Sequence, residues 1–446
     1  MIGRTVKEWD YLPIEPVSSG PLAFTRSLAD QMLKIARSSK IGGNEGEQIL
    51  IDGRSGLRAQ QVVGVLVAKG ATLEILPKID GANEDQAIRR SLIHMLAVVL
   101  DLDISAGAAA NFGWQKENLL EILIRLFCDK LLVILHQGMP RRYVGHEDDL
   151  SALRGRLDVK RQFTVLAASP QRLACRFDEL SMDIPLNRIM KAAITRLMSM
   201  SNNLENQRKL RELAFAYEGV ATLPVRSLRW DQVLIDRTNV GWSELFTFAR
   251  LLLEGRFQST TTGAVEGFSL LFEMNTLFEE FVGRTIKRAL AGTNLRVDLQ
   301  GPQSYALIDQ ETNARRFATR PDIVISRNGQ TSLVIDTKWK RLKGAIDDSK
   351  RGVGQADVYQ MMAYAHVYDC RRLILLYPHH HELAEEGGML SVHQIANKAD
   401  SLIGIATVDL VDPRKVRSLL QRLLLNRGSA FDLTDQIATK AVAVPA

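Results

Sequence analysis

Three residues in the C-terminal half have the types and spacing to carry out metal-assisted hydrolysis. Asp336 and Lys338 lie two apart in Leu333-Val-Ile-Asp-Thr-Lys338, a stretch that is otherwise largely apolar. On a strand, residues i and i+2 leave the same face, so carboxylate and ammonium project together. Charges set in an apolar strand are costly unless something uses them. Asp322 stands upstream in Arg320-Pro-Asp-Ile-Val-Ile325, also beside apolar residues. Two carboxylates brought to one point repel each other, and a divalent cation relieves that repulsion. The chemistry implied is phosphodiester hydrolysis: Mg²⁺ held by Asp322, Asp336 and the Thr337 carbonyl polarises the phosphate and lowers the pKa of a bound water. Lys338 then orients that water or stabilises the developing negative charge.

Register decides whether the two acids converge. Arg327-Asn328-Gly329-Gln330 is a strong hairpin signal between the two strands. A two-residue Asn328-Gly329 turn sets Asp322 opposite Ile335 and leaves Asp336 on the other face. A three-residue loop, Arg327 to Gly329 with Gly329 left-handed, sets Asp322 opposite Val334 with Asp336 diagonally beside it. The catalytic reading requires that second register, or another of the same parity.

Two helices complete the constellation. Glu279, in Asn275-Thr-Leu-Phe-Glu-Glu-Phe281, is flanked by apolar residues at helical spacing and could reach the metal or its water. Glu280 points about 100° away, from 3.6 residues per turn, so Glu279 is preferred. Gln360 and Tyr364 are i, i+4 on a later helix and share a face, where they could hold a DNA backbone or orient the lysine. An isolated D-x-K is a common surface pair. The hairpin between the acids, the acidic helix before and the Gln-x-x-x-Tyr helix after make this one specific. His379-His380-His381 follows Pro378 and reads as a solvated turn rather than a metal site. Tyr359, Tyr364 and Tyr368 read as core rather than as a base-stacking platform.

The elements that must position these residues sit in a chain of 446 residues, for which two or three domains are expected. The apolar fraction of 46% and charged fraction of 24% are those of a soluble globular protein. Cys128, Cys175 and Cys370 are far apart, which excludes a disulfide framework or CxxC site and fits a reducing cytoplasm. The N-terminus shows no secretory h-region, and no apolar run approaches the ~20 residues of a membrane span. A soluble, cytoplasmic protein is expected. The net charge of +6 suits a polyanionic partner without demanding one.

Residues 1 to about 85 read as β-rich, with a hairpin turning at Lys69-Gly70. Helices are expected over Ala87 to Leu102, Asn118 to His136, Pro185 to Met200, Asn203 to Tyr217 and Ser243 to Leu253. Arg141 to Phe163 is basic and reads as a loop or solvated face. Gln258 to Gly267 is the best linker. Beyond it, Leu270 to Ala291 reads as a helix. Arg296 to Leu299, Ser304 to Ile308, Pro321 to Ser326, Ser332 to Trp339 and Leu373 to Tyr377 read as strands, with a helix over Ala356 to Val367. The fold class expected is α/β and α+β, multidomain. An N-terminal β-rich domain with its first helix (1–117) precedes a mainly helical middle region (118–257), an α/β core (268–410) and a C-terminal helix and tail (411–446). No GxxxxGK[ST] loop occurs, so the chain carries no recognisable nucleotide motor.

Several stretches together give a resemblance. They include QVVGVLVA from Gln61, LEILPKI from Leu73, GMPRRY from Gly138, LRGRLD from Leu153 and FDELSMDIPLNRIMK from Phe177. MNTLFEEFV from Met274, RPDIVI from Arg320, IDTKWK from Ile335 and QADVYQMMAYA from Gln355 continue it. In these the sequence resembles the McrC family, the PD-(D/E)xK nuclease subunit of modified-cytosine restriction systems. The last four alone would fit many RecB-like enzymes; the Asp178 to Lys191 and Leu73 to Ile79 segments discriminate. The resemblance implies a type IV restriction endodeoxyribonuclease subunit of phage defence, dependent on Mg²⁺ and directed at 5-methylcytosine DNA. It implies a McrB-type AAA+ GTPase partner, which binds the GTP and reads the DNA. The N-terminal part would contact and stimulate that ring, and the C-terminal part would cut double-stranded DNA with Asp322, Asp336 and Lys338. Two alternatives remain. A non-catalytic activator or scaffold of an AAA+ ring would not need the intact acids and lysine, and a stand-alone RecB-like repair nuclease would not need residues 1–267.

Overall fold

The computed structural model describes residues 2–16, 24–37, 39, 41, 48–53, 55–79, 85–102, 117–169, 171–253, 267–343, 352–383, 386–396, 398, 400–426 and 429–433. The expected linker lies outside these apart from Gly267, as does the tail beyond 433. Two units divide the chain: residues 1–119 with 259–446, and residues 120–258. The architecture is mixed α/β.

The first unit contains a four-stranded sheet of β1 (Ile2–Lys7), β2 (Val62–Ala68), β3 (Ala71–Leu76) and β4 (Gly267–Glu273), in the order β1-β3-β2-β4. The hairpin expected at Lys69-Gly70 is present, with Ala68 opposite Ala71 and Gly70 at φ +85°. Every residue of β2 and β3 is buried, so neither strand alternates in polarity. The run expected as a helix from Leu270 is instead strand as far as Glu273, antiparallel to β2, and turns helical only at Met274. A short apolar run such as Phe268-Ser-Leu-Leu-Phe272 fits either state by periodicity; the open edge of β2 decides it. Gly64 permits the approach: a Cβ there would lie 1.8 Å from the Leu270 carbonyl oxygen, and its φ is +135°. Helix α1 (Arg26–Arg37), unexpected in a β-rich region, buries Met32, Ile35 and Ala36 in the core it shares with Leu66 and Leu271.

The second sheet of this unit has six strands: β5 (Arg296–Leu299), β6 (Ile323–Arg327), β7 (Gln330–Thr337), β8 (Arg372–Pro378), β9 (Gly388–Gln394) and β10 (Leu402–Val408). Their order is β5-β6-β7-β8-β10-β9. β6 and β7 form an antiparallel hairpin, and β7, β8 and β10 run parallel. Helices α2 (Asp85–Val99) and α3 (Met274–Ala289) pack on each other. Helix α4 (Gln355–Val367) makes the crossover from β7 to β8, and α5 (Val416–Leu425) packs against α3. Leu333, Ile335, Leu373, Leu375, Ile403 and Ile405 are buried, giving the near-continuous apolar runs of parallel strands covered on both faces. Strands β9 and β10, and a separate two-stranded ribbon of Ser304–Ile308 with Arg315–Thr319, complete what the sequence reading had only in part.

In the second unit the helices Leu119–Leu135, Pro185–Met198, Leu204–Ala216 and Ser243–Leu253 match the periodicity. The basic stretch expected as loop folds as strands Arg142–Leu150 and Arg156–Leu157 and helix Val159–Thr164, joined in a sheet by Leu173–Ser181. Its side chains are mostly exposed, as a solvated face would be. The polar residues of the Asp178 to Lys191 segment anchor backbone. Asp183 takes Arg188 at 2.7 Å and the Ala221 amide at 3.0 Å, and Asn187 Nδ2 donates to the Pro140 and Met182 carbonyls. No helix among the described residues is long and apolar enough to cross a membrane.

Candidate active site

The β6–β7 hairpin turns through two residues, Asn328 at φ +51° and Gly329 at φ +83°, with Arg327 opposite Gln330. The three-residue loop is therefore not formed. Carried straight down the ladder, this turn would have put Asp322 and Asp336 on opposite faces. A bulge corrects the register: Ser326 pairs with Thr331 but Ile325 with Leu333, so Ser332 is the extra residue. Beyond it Ile323 faces Ile335, and the same register carried one residue further sets Asp322 opposite Asp336. The parity required for convergence is reached by bulge rather than by loop length.

The local geometry follows from that register. Asp322 Oδ2 accepts hydrogen bonds from Thr337 N at 2.7 Å and Thr337 Oγ1 at 2.8 Å. Asp336 is 1% exposed, and Lys338 Nζ lies 2.6 Å from its Oδ2. The same ammonium donates to Gln360 Oε1 at 3.0 Å. Gln360 Nε2 donates to the Tyr364 hydroxyl at 2.7 Å, and that hydroxyl donates to the Arg320 carbonyl at 3.2 Å. The i, i+4 pair on α4 thus braces the lysine from behind.

Helix α3 brings Glu279 to the group. Gly283, one turn on, lets the helix lie close: a Cβ there would meet Leu299 Cδ2 at 2.1 Å. Glu279 is hydrogen-bonded by Gln300 Nε2, while Glu280 turns to Arg284 at 2.8 Å. Burial, then the Asp322 charge, pushes the Glu279 carboxyl up to about 7. Burial and Asp322 push Asp336 up to about 6, against the opposing pull of Lys338. Asp322 is raised by burial, and its two bonds from Thr337 offset only part of this. Burial works against the Lys338 ammonium, but Asp336 and Asp322 outweigh it and hold its pKa up.

Burial is the first cause of all three raised carboxyls, and the mutual repulsion of Glu279, Asp322 and Asp336 adds to it. That donor set fits a hard divalent cation. Among the described residues no three His, Cys, Asp or Glu side chains gather into a closed chelate. A cation here would be held by two carboxylates and a carbonyl, leaving positions for water and a phosphate oxygen, as a catalytic ion needs.

Other residues escaped the sequence reading. Glu8, 1% exposed, accepts from Trp339 Nε1 and from the Lys78 amide, both at 2.8 Å, and burial raises its carboxyl to about 7. Trp339 adjoins Lys338 and packs edge-on against Phe278, the neighbour of Glu279, at 5.4 Å. No local signal links positions so far apart. Asp357, buried and bonded to Lys340 Nζ at 3.1 Å, shares α4 with Gln360 and could have been suspected. His380 corrects the solvated-turn reading: it is 2% exposed, with Nε2 at 2.7 Å from the Leu342 carbonyl. Of the three tyrosines expected in the core, Tyr364 is buried, Tyr368 is half-buried and Tyr359 is 59% exposed.

The chain has recognisable relatives. A family model described as "McrBC 5-methylcytosine restriction system component" matches residues 57–378. No curated protein matches. Among solved structures, one from Thermococcus gammatolerans, a refined half-complex from a tetradecameric assembly of McrB AAA+ hexamers with bound McrC, superposes with a TM-score of 0.71. Identity is 20%, covering 94% of this chain and 99% of that one. The cryo-EM structure of the Thermococcus gammatolerans McrBC complex gives a TM-score of 0.54 at 23% identity, over 65% and 88% of the two chains.

Proposed function

Because the chain belongs to the McrBC 5-methylcytosine restriction system component family, we propose that it is the DNA-cutting subunit of such a system. It would hydrolyse phosphodiester bonds at a PD-(D/E)xK centre with Mg²⁺, in partnership with an AAA+ GTPase ring of McrB type. The observation that carries this reading is the convergence of Asp322, Asp336 and Lys338 at the end of the hairpin, two carboxylates and an ammonium bracketed by Glu279 and Gln360. The fold shared with structures of McrB hexamers with bound McrC supports the partnership.

In this mechanism Asp322 and Asp336, with the Thr337 carbonyl, would hold the ion. Both bonds from Thr337 fall on Asp322 Oδ2, so that group is fixed in place. When bound, Mg²⁺ supplies Lewis-acid polarisation of the scissile phosphate and a water of lowered pKa. Lys338 would donate to the phosphoryl oxygens as negative charge develops. Gln360, braced by Tyr364, keeps the ammonium aimed. Glu279, whose carboxyl burial pushes up to about 7, would accept a proton from the attacking water.

The deciding assay measures cleavage of methylated duplex DNA with Mg²⁺, GTP and the partner ring. Asp336→Ala should lose cutting by about 10³-fold or more while still stimulating GTP hydrolysis. A variant that cuts as fast as the parent sinks the mechanism.

A further inference from the structure

We propose that the ribbon of Ser304–Ile308 and Arg315–Thr319 is a DNA-binding element that wedges Phe317 between base pairs beside the scissile phosphate. The proposal rests on the nuclease reading above, since DNA lying across Asp322 would pass over this ribbon. Its second strand ends at Thr319, and Arg320-Pro321 leads straight into Asp322.

The ribbon is a two-stranded sheet of its own, with Ser304 opposite Thr319 and Ile308 opposite Arg315. Its register is continuous, yet the central pair of Ala306 and Phe317 is not bridged, because Phe317 has φ +56°. A left-handed backbone is unfavourable for a bulky side chain and collects at functional positions. The ring is not packed away in return: it is 71% exposed, and Leu307 and Ile308 on the facing strand are each 57% exposed. Arg315 and Arg316 precede it, exposed and in no ion pair among the described residues. The ribbon's acids lie at its far turn. There the Asp309 carboxylate is occupied by Thr312 N at 2.8 Å, Thr312 Oγ1 at 2.8 Å and Glu311 N at 3.1 Å.

The base of the ribbon is anchored to the catalytic machinery. The Tyr368 hydroxyl lies 2.8 Å from the carbonyl oxygens of both Pro302 and Thr319, and its ring packs edge-on against Tyr364 at 5.9 Å. Tyr364 holds Gln360, which holds Lys338. A wedge fixed to that support keeps a set distance from the reacting centre. A two-stranded ribbon fits a DNA groove. An apolar side chain entering a base step, flanked by arginines on the phosphates, unstacks and bends the duplex. The bend would expose the scissile phosphate to Asp322 and Asp336.

The test uses the full chain in three assays. In an Asp336→Ala background, binding to duplex DNA carrying 2-aminopurine should raise its fluorescence, and adding Phe317→Ala should abolish the rise. Arg315→Ala with Arg316→Ala should weaken DNA binding about tenfold at moderate salt and reduce the slope of log affinity on log salt by about two. With the partner ring, Phe317→Ala should cut DNA at least about tenfold more slowly, with GTP hydrolysis unchanged. Phe317→Gly relaxes the left-handed backbone, so it should melt no lower than the parent yet cut as poorly as Phe317→Ala; a merely structural phenylalanine would predict normal cutting. Parental binding and cutting by these variants overturns the proposal. So does sedimentation showing that they dissolve a dimer while DNA affinity holds, which would make a second copy of the chain the occupant. If the parent unstacks 2-aminopurine but never cuts, the wedge stands and the nuclease reading falls.

Discussion

Lys338 is held from two sides, at 2.6 Å by Asp336 and 3.0 Å by Gln360, and the balance between them sets where its charge points. Removing the ammonium in Lys338→Ala should cost about 10²-fold or more in cutting while leaving ring stimulation intact; loss of both in the same preparation would mean misfolding. Gln360→Ala should cost less, about tenfold, because the lysine survives but leans on Asp336 alone. The acids predict the pH response. Asp336 at about 6 and Glu279 at about 7 take up protons as pH falls through those values, and only their ionised forms bind a cation or accept a proton. Cutting rates measured from pH 5.5 to 8.5 should rise with pH, and in Glu279→Gln the rise should be shallower. Stability runs the other way. A carboxyl whose folded pKa lies above its ordinary value destabilises the ionised fold, so that stability is present at low pH and declines as pH rises from about 4.5 toward about 7. Melting temperature without Mg²⁺ should therefore fall between pH 5 and 8, and added Mg²⁺ should recover part of the loss at pH 8.

At the level of elements, placement depends on two close approaches, the Ser332 bulge and the seat of α3 over β5 and β6. Gly283→Val puts methyl groups where Leu299 already stands, and overpacking of this kind costs about 1–3 kcal/mol. Thermal melts should show that loss, and cutting should fall at least about tenfold as Glu279 is pushed out. Arg284→Ala, on the solvent side of the same helix, should change stability by less than about 1 kcal/mol. The acids, the lysine, the hairpin and the Gln-Tyr helix were legible because their spacing is local. The bulge was not, since a two-residue turn and a shifted register leave no mark in Asn328-Gly329. Strand β4 was misread because its apolar run continues into a helix, and the tie between Glu8 and Trp339 was invisible because only the tertiary fold brings them together.

The molecule as a whole is two units on one chain, residues 1–119 with 259–446 and residues 120–258. Calorimetry should resolve more than one transition. Asp183→Ala, which removes the tie to Arg188 and the Ala221 amide, should lower only one of them, by about 1–3 kcal/mol. EDTA should stop cutting yet leave the transitions within a few degrees, since the strands of the fold are buried among apolar side chains.

The pairing of β2 with β4 also constrains how the chain is made. Val62–Ala68 emerges from the ribosome early, but the strand that covers its edge, Gly267–Glu273, follows the entire second unit. At about 5–20 residues per second that is a wait on the order of ten to forty seconds, during which a wholly apolar strand has no neighbour on one side. Nascent chains stalled before Gly267 should recruit chaperones or aggregate, and those released beyond Glu273 should not.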